Sequence, residues 1–132
     1  MQDYGYRLWE KIQVGFNERG QAIEEGSVDL STFLGSSGRE MVPIAVDDWR
    51  GFDKKKLDRI WEIIKQKFVL DEYNKNYCLQ SLGKLWRSYK SRLRAKIDSC
   101  KSQEELEAAK PKHIDSTHWK NICIKEIFHK LH

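Results

Sequence analysis

Cysteine is scarce in this chain. Cys78, Cys100 and Cys123 are an odd number, lie far apart and include no CxxC pair, which excludes a disulfide framework and predicts free thiols in a reducing compartment. Long apolar runs are missing as well. No stretch approaches the ~18 consecutive apolar residues of a membrane span. The opening MQDYGYRLWE lacks the basic-then-apolar plan of a secretory signal, so a soluble intracellular protein with no membrane partner is expected. The chain also lacks a recognisable catalytic set. It has no nucleophile elbow and no arranged Ser, His and Asp, and the SSG at 36–38 lacks the lysine of a phosphate-binding loop. Cys100, Cys123, His113, His118, His129 and His132 are metal-ligand types without the close paired spacing of a zinc module. The expectation is a protein that is not an enzyme and uses no metal, no cofactor and no small-molecule substrate.

What the chain does have is core-forming material and a concentrated charge. Its 132 residues are 39% hydrophobic and 33% charged, with five Trp, five Tyr and five Phe, which suits one compact domain. The net charge of +4 is modest, but its distribution is not. From Lys84 to Lys101 seven basic residues face a single acid, Asp98, while EELE follows at 104–107. Leu79, Leu82, Trp86, Tyr89, Leu93 and Ile97 recur every three or four residues, predicting a helix over 79–97 with one buried face. Lys84, Arg87, Lys90 and Arg94 are read as projecting opposite that face, with Ser91 between them and Arg92 nearby. A cationic ridge on a rigid helix suits a polyanion.

The rest of the chain divides at about residue 46. In the first part, Ile12, Val14 and Phe16 alternate with polar residues, NERG at 17–20 reads as a turn, and 21–23 returns as a second strand, predicting a small hairpin. A short helix is expected over 29–34, with a loop at GSSG behind it and an extended stretch from Pro43 through Val46. The second part, 47–132, is periodic and helical. Asp53 caps a helix reaching Phe68 along Leu57, Ile60, Trp61 and Ile64; DEYNKN breaks it before the basic helix. A short acidic helix over 102–109 stops at Pro111, and a last helix runs from about Asp115 along Trp119, Ile122, Cys123, Ile127 and Leu131. The expected fold is mainly α: a compact helical domain with helix-turn-helix or Myb-like helices and a small N-terminal β-hairpin.

The order of motifs is itself informative. FNERGQ at 16–21, STFLGSSGR at 31–39, DDWR at 47–50, IWEIIKQKF at 60–68 and LGKLWRSYKSRL at 82–93 together resemble the plant transposase family of the Ptta/En/Spm type, associated with CACTA transposons, over roughly 13–127. The resemblance implies a nuclear, transposase-derived protein working on DNA or with chromatin partners. It also implies that Trp49, Trp61, Phe68, Trp86, Leu93 and Trp119 form the family framework, with Lys84, Arg87, Lys90 and Arg92 in its basic block. There is no room here for a nuclease domain, so strand cutting is not carried over.

Each signal has a plainer reading. Lysines and arginines on a helix can simply solubilise it or cover apolar surface with their stems. The absence of any acid within the basic stretch favours duplex DNA as the partner. Lys84 and Arg94 would then touch phosphates, with Arg87, Lys90 and Ser91 nearest the base edges. The rival class is a protein-interaction or self-association module, in which Ile12, Val14, Phe16, Phe33 and Leu34 form an exposed apolar patch beside an open strand edge.

Overall fold

The computed structural model describes residues 10–24, 26–43 and 49–131, apart from the side chains of Arg50, His129, Lys130 and Leu131. The fold is mainly α. Among the described residues, five helices, α1 (Ser27–Met41), α2 (Lys54–Lys67), α3 (Lys75–Ser99), α4 (Gln103–Ala108) and α5 (Ser116–Leu131), are joined by four two-residue strands and two short 3-10 turns. The stretch from Ile44 to Val46, expected to be extended, lies outside the described residues.

The hairpin is present but smaller than its alternation suggested. Strands β2 (Gly15–Phe16) and β3 (Ala22–Ile23) pair antiparallel, with Phe16 opposite Ala22. Asn17 builds the turn: its Oδ1 accepts from the backbone N–H groups of Arg19 at 2.9 Å and Gln21 at 3.0 Å. Gly20 then takes a φ of +78°, a left-handed conformation that glycine adopts without strain. Ile12 leaves the hairpin. With Gln13 it forms β1 (Ile12–Gln13), which pairs in parallel with β4 (Phe68–Val69) directly after α2. The first strand edge is therefore occupied from within the chain. Ile12, Val14, Phe16 and Phe33 are half-buried against the core and Leu34 is buried in it, so these residues serve the core first and leave only part of their surface to solvent.

Helix α1 is also longer than expected, running straight through GSSG. Its glycines serve close packing rather than a loop. A Cβ on Gly38 would lie 3.5 Å from Trp86 Cβ and 3.6 Å from Leu82 on α3, so the two helices approach closely there. The 36–38 segment is thus helix interior, with Ser36 donating to Glu40 at 3.2 Å and Ser37 buried.

Helix α2 begins where Asp53 accepts from the Lys55 N–H at 2.9 Å, and it buries Ile60, Trp61 and Ile64. Two ionic contacts then fold α3 back beside it. Lys65 meets Glu72 at 2.8 Å, and Lys75, the first residue of α3, meets Asp58 at 2.8 Å. Helix α3 spans 25 residues, starting four residues earlier than the periodicity predicted and ending two later, a length of about 37 Å. It is the spine of two hydrophobic clusters. Its first half gives Cys78, Leu82 and Trp86 to a core shared with α1 and α2; its second half gives Leu93 and Ile97 to a core with Ala109, Ile114, Trp119 and Cys123. Trp119 is held across that second core by an Nε1–H bond to the Leu106 carbonyl at 2.7 Å. Trp61, Trp86 and Trp119 are thus core residues, as their spacing predicted.

Gly83 carries a sharper constraint than Gly38. A Cβ there would fall 2.6 to 2.8 Å from three atoms of the Trp49 indole, which packs against α3 and stacks on Phe52 at 5.9 Å. Gly83→Ala should therefore destabilise the protein by about 1–3 kcal/mol despite alanine's better helix propensity. Gly38→Ala, with only ordinary van der Waals neighbours, should be neutral or stabilising by up to about 1 kcal/mol. Urea unfolding of the two variants checks the contrast.

Candidate nucleic-acid interface

The outward face of α3 is the candidate site. No acid occurs between Lys75 and Ile97, and the first carboxylate of the helix is Asp98. Lys84, Arg87, Ser91, Arg92 and Arg94 are all exposed. The apolar residues beneath them anchor the helix on both sides: Leu82 and Trp86 against α1, Leu93 and Ile97 against the second core. The cations therefore stand on an element that is fixed from below.

Lys90 is the exception and corrects the expected set. Only 8% of it is exposed, and its ammonium sits 5.1 Å from the centre of the Trp86 ring. Lys90 follows Trp86 by four residues and precedes Leu93 by three, so it shares their face rather than the opposite one. Its aliphatic stem packs with the apolar stripe, and its charge is drawn to the electron-rich indole. It does not belong to the outward ridge.

Arg94 is intermediate. Its Nε lies 3.2 Å from Glu126 Oε1 on α5, and the side chain is 51% exposed. Both Arg94 and Lys90 border a groove of about 530 Å³ between the end of α1, the second half of α3 and the start of α5, whose floor includes Val42, Leu93, Ile97 and Ile114. Three carboxylates, Glu40, Asp115 and Glu126, share that rim, so this region is of mixed charge. Among the six expected contact residues, the structure leaves Lys84, Arg87 and Ser91 exposed within about 60° of one another on α3, sets the exposed Arg92 about 100° round the helix from Ser91, pairs Arg94 with Glu126, and withdraws Lys90.

Two groups in the vicinity were missed by sequence reading. Asn76 and Gln80 are exposed on α3 and lie at helical spacing from Arg87 and Ser91. Their signal is their position eleven and seven residues ahead of Arg87; Asn76 falls before the helix expected from residue 79, and Gln80, inside it, carries no charge. The second group is Lys54, Lys55 and Lys56, all exposed in the first turn of α2. Three lysines at the positive end of a helix oppose the macrodipole, so they do nothing for the helix itself. The run KKK was visible in the sequence.

The thiols and histidines assemble differently. Cys78 is fully buried, and burial pushes its thiol up to about 11 from an ordinary 9.0. Because the folded value is raised, the neutral thiol favours the fold; that contribution is complete below pH 9 and is lost as pH climbs through about 11. Alkaline unfolding over this window should be reduced in Cys78→Ala relative to its own neutral-pH stability, as read by circular dichroism. His118 is engaged with Asp115 at 2.8 Å, and His113 lies 3.3 Å from the Tyr89 hydroxyl. Among the described residues, no three His, Cys, Asp or Glu side chains converge as a metal site, and no helix is long and apolar enough to cross a membrane.

No family model matches this chain, no curated protein is similar to it, and no solved structure matches its fold.

Proposed function

We propose that this protein binds duplex DNA through the outward face of α3 and acts as a binding module rather than an enzyme, within a nuclear protein derived from a plant transposase. The observation that carries the DNA reading is the 23-residue stretch from Lys75 to Ile97 that holds no acid and presents Lys84, Arg87 and Arg92 to solvent on a helix anchored in two cores. Exposed cations without local counter-charges gain most from displacing the counterions around phosphates. The transposase origin rests on the resemblance of the spaced motifs alone. Nuclear location follows from that origin and from the partner.

Fluorescence anisotropy with a labelled duplex, titrated in salt, tests the reading. Four or five phosphate contacts would give a log–log slope of roughly −4. Absence of binding at low salt refutes it.

A second reading, self-association, now rests on α5 rather than the hairpin. Ile124 and Phe128 are 57% and 61% exposed, one turn apart on the side of α5 away from Trp119. Two copies of the chain packing along this stripe would bury both. Light scattering after size exclusion separates a stable dimer from a monomer.

A further inference from the structure

The ridge of cations does not begin at Lys84. Asn76, Gln80, Arg87 and Ser91 are separated by four, seven and four residues, which places them within an arc of roughly 60° on α3. All four are exposed, and Lys84 lies at the edge of the same arc. Around them the outward face is built from small groups, Ser88 and Ala95 among them, so a ligand surface can approach the long side chains closely.

The elements beside this stripe fit one partner. Trp49 lies on Gly83, one turn before Arg87; Phe52 stacks on Trp49; and Asp53 then caps α2. The Asp58–Lys75 contact fixes the next turn of α2 to the start of α3. Lys54, Lys55 and Lys56 are the exposed first turn of the helix that this contact ties to the start of α3. This is a row of amide, guanidinium and hydroxyl groups with lysines on the neighbouring helix.

A carboxamide and a guanidinium read different bases. An Asn or Gln side chain pairs bidentately with adenine at N6 and N7, and an Arg with guanine at O6 and N7, in both cases from the major groove. Lysines, as point charges, bind phosphate without reading sequence. We infer that Gln80 and Asn76 are base-reading residues that, together with Arg87, give the proposed DNA-binding face a sequence preference, while Lys54, Lys55 and Lys56 grip the phosphate backbone beside them. This rests on the DNA reading above. The seven residues from Gln80 to Arg87 span about 10 Å of helix, or about three base-pair steps. The preferred site therefore contains an adenine and a guanine roughly three base pairs apart.

Selection of bound duplexes from a random pool, run with the wild-type chain, Gln80→Ala, Arg87→Ala and Lys54→Gln/Lys55→Gln/Lys56→Gln, tests this. Every substituted residue is exposed, and circular dichroism verifies that each variant is folded. The wild type should recover a motif with the spaced adenine and guanine. Gln80→Ala should lose about tenfold in preference at the adenine while keeping the guanine, and Arg87→Ala should do the reverse. The triple lysine variant should weaken binding to all duplexes alike, with an unchanged motif and a shallower salt slope. Duplex binding by the wild type with a profile that Gln80→Ala leaves intact overturns this inference and spares the DNA reading. No duplex binding at low salt overturns both.

Discussion

Alanine at Lys84, Arg87 and Arg92 together should lower affinity for a mixed-sequence duplex on the order of 100-fold near 0.1 M salt, and should flatten the log–log salt dependence by roughly 1.8. The slope follows from counterion release, about 0.9 ion per phosphate neutralised, for Lys84 and Arg92, two cations that the fold leaves in solvent, while Arg87 contributes through the base it reads. Stability should barely move. None of the three has an ion-pair partner among the contacts of the described residues, and exposed substitutions of this kind sit within about 0.5 kcal/mol. Lys90→Met supplies the contrast. It removes a charge from the same helix but from the buried side, over the Trp86 ring, so its cost should appear in stability and much less in DNA affinity. If Lys90→Met weakened binding as strongly as the triple substitution, net charge rather than a defined face would be governing the interaction. Anisotropy titrations at three salt concentrations distinguish the two.

That contrast also shows how far a sequence can be read. Helices α2, α4 and α5 were legible to within two residues: α2 and α5 couple an apolar stripe to a cap, α4 is bounded by its cap and by Pro111, and Asp53, Ser102 and Asp115 all accept backbone N–H bonds in the fold. Lys90 was legible in principle. Its spacing from Trp86, Leu93 and Ile97 is the helical repeat, and a lysine stem packs readily on an aromatic ring, so position outweighs charge there. Helix α1 was misread for another reason. GSSG has the composition of a loop, and only the approach of α3 to Gly38 makes the glycine an asset inside a helix. Local propensity cannot express a contact made by a helix forty residues away. The parallel pairing of Ile12–Gln13 with Phe68–Val69 is equally non-local, and two-residue strands leave little periodicity to detect. The exposure of Lys84, Arg87 and Ser91 was legible and that of Asn76 was not, since α3 opens with Lys75, Asn76 and Tyr77 before its apolar repeat becomes regular.

Trp86→Ala should be the most damaging single change, costing about 3–5 kcal/mol before any relief. Trp86 is 1% exposed, touches Trp49 at a ring separation of 5.8 Å, packs on Gly38 of α1 and lies beneath Lys90, so its removal opens a cavity where three segments meet. One feature works the other way. Its indole Nε1 is buried with no hydrogen-bond partner among the described residues, a defect that costs about 1–3 kcal/mol in the native protein and disappears with the ring. The net loss should therefore fall near the lower end, about 3 kcal/mol, still a large share of the 5–15 kcal/mol that holds a domain together. Phenylalanine separates the two effects. Trp86→Phe keeps most of the volume and deletes the orphaned donor, whereas Trp61→Phe deletes an Nε1–H that donates to Glu72 at 3.1 Å, and Trp119→Phe one that donates to Leu106 at 2.7 Å. Trp86→Phe should thus be the mildest of the three by about 1 kcal/mol. Urea midpoints at constant m-value measure the order; a Trp86→Phe loss equal to that of Trp119→Phe would mean that the Trp86 indole is satisfied in solution. Because α3 is the spine of both cores, loss of Trp86 should also weaken DNA binding without touching a contact residue, through a helix that is no longer held straight beneath its outward face.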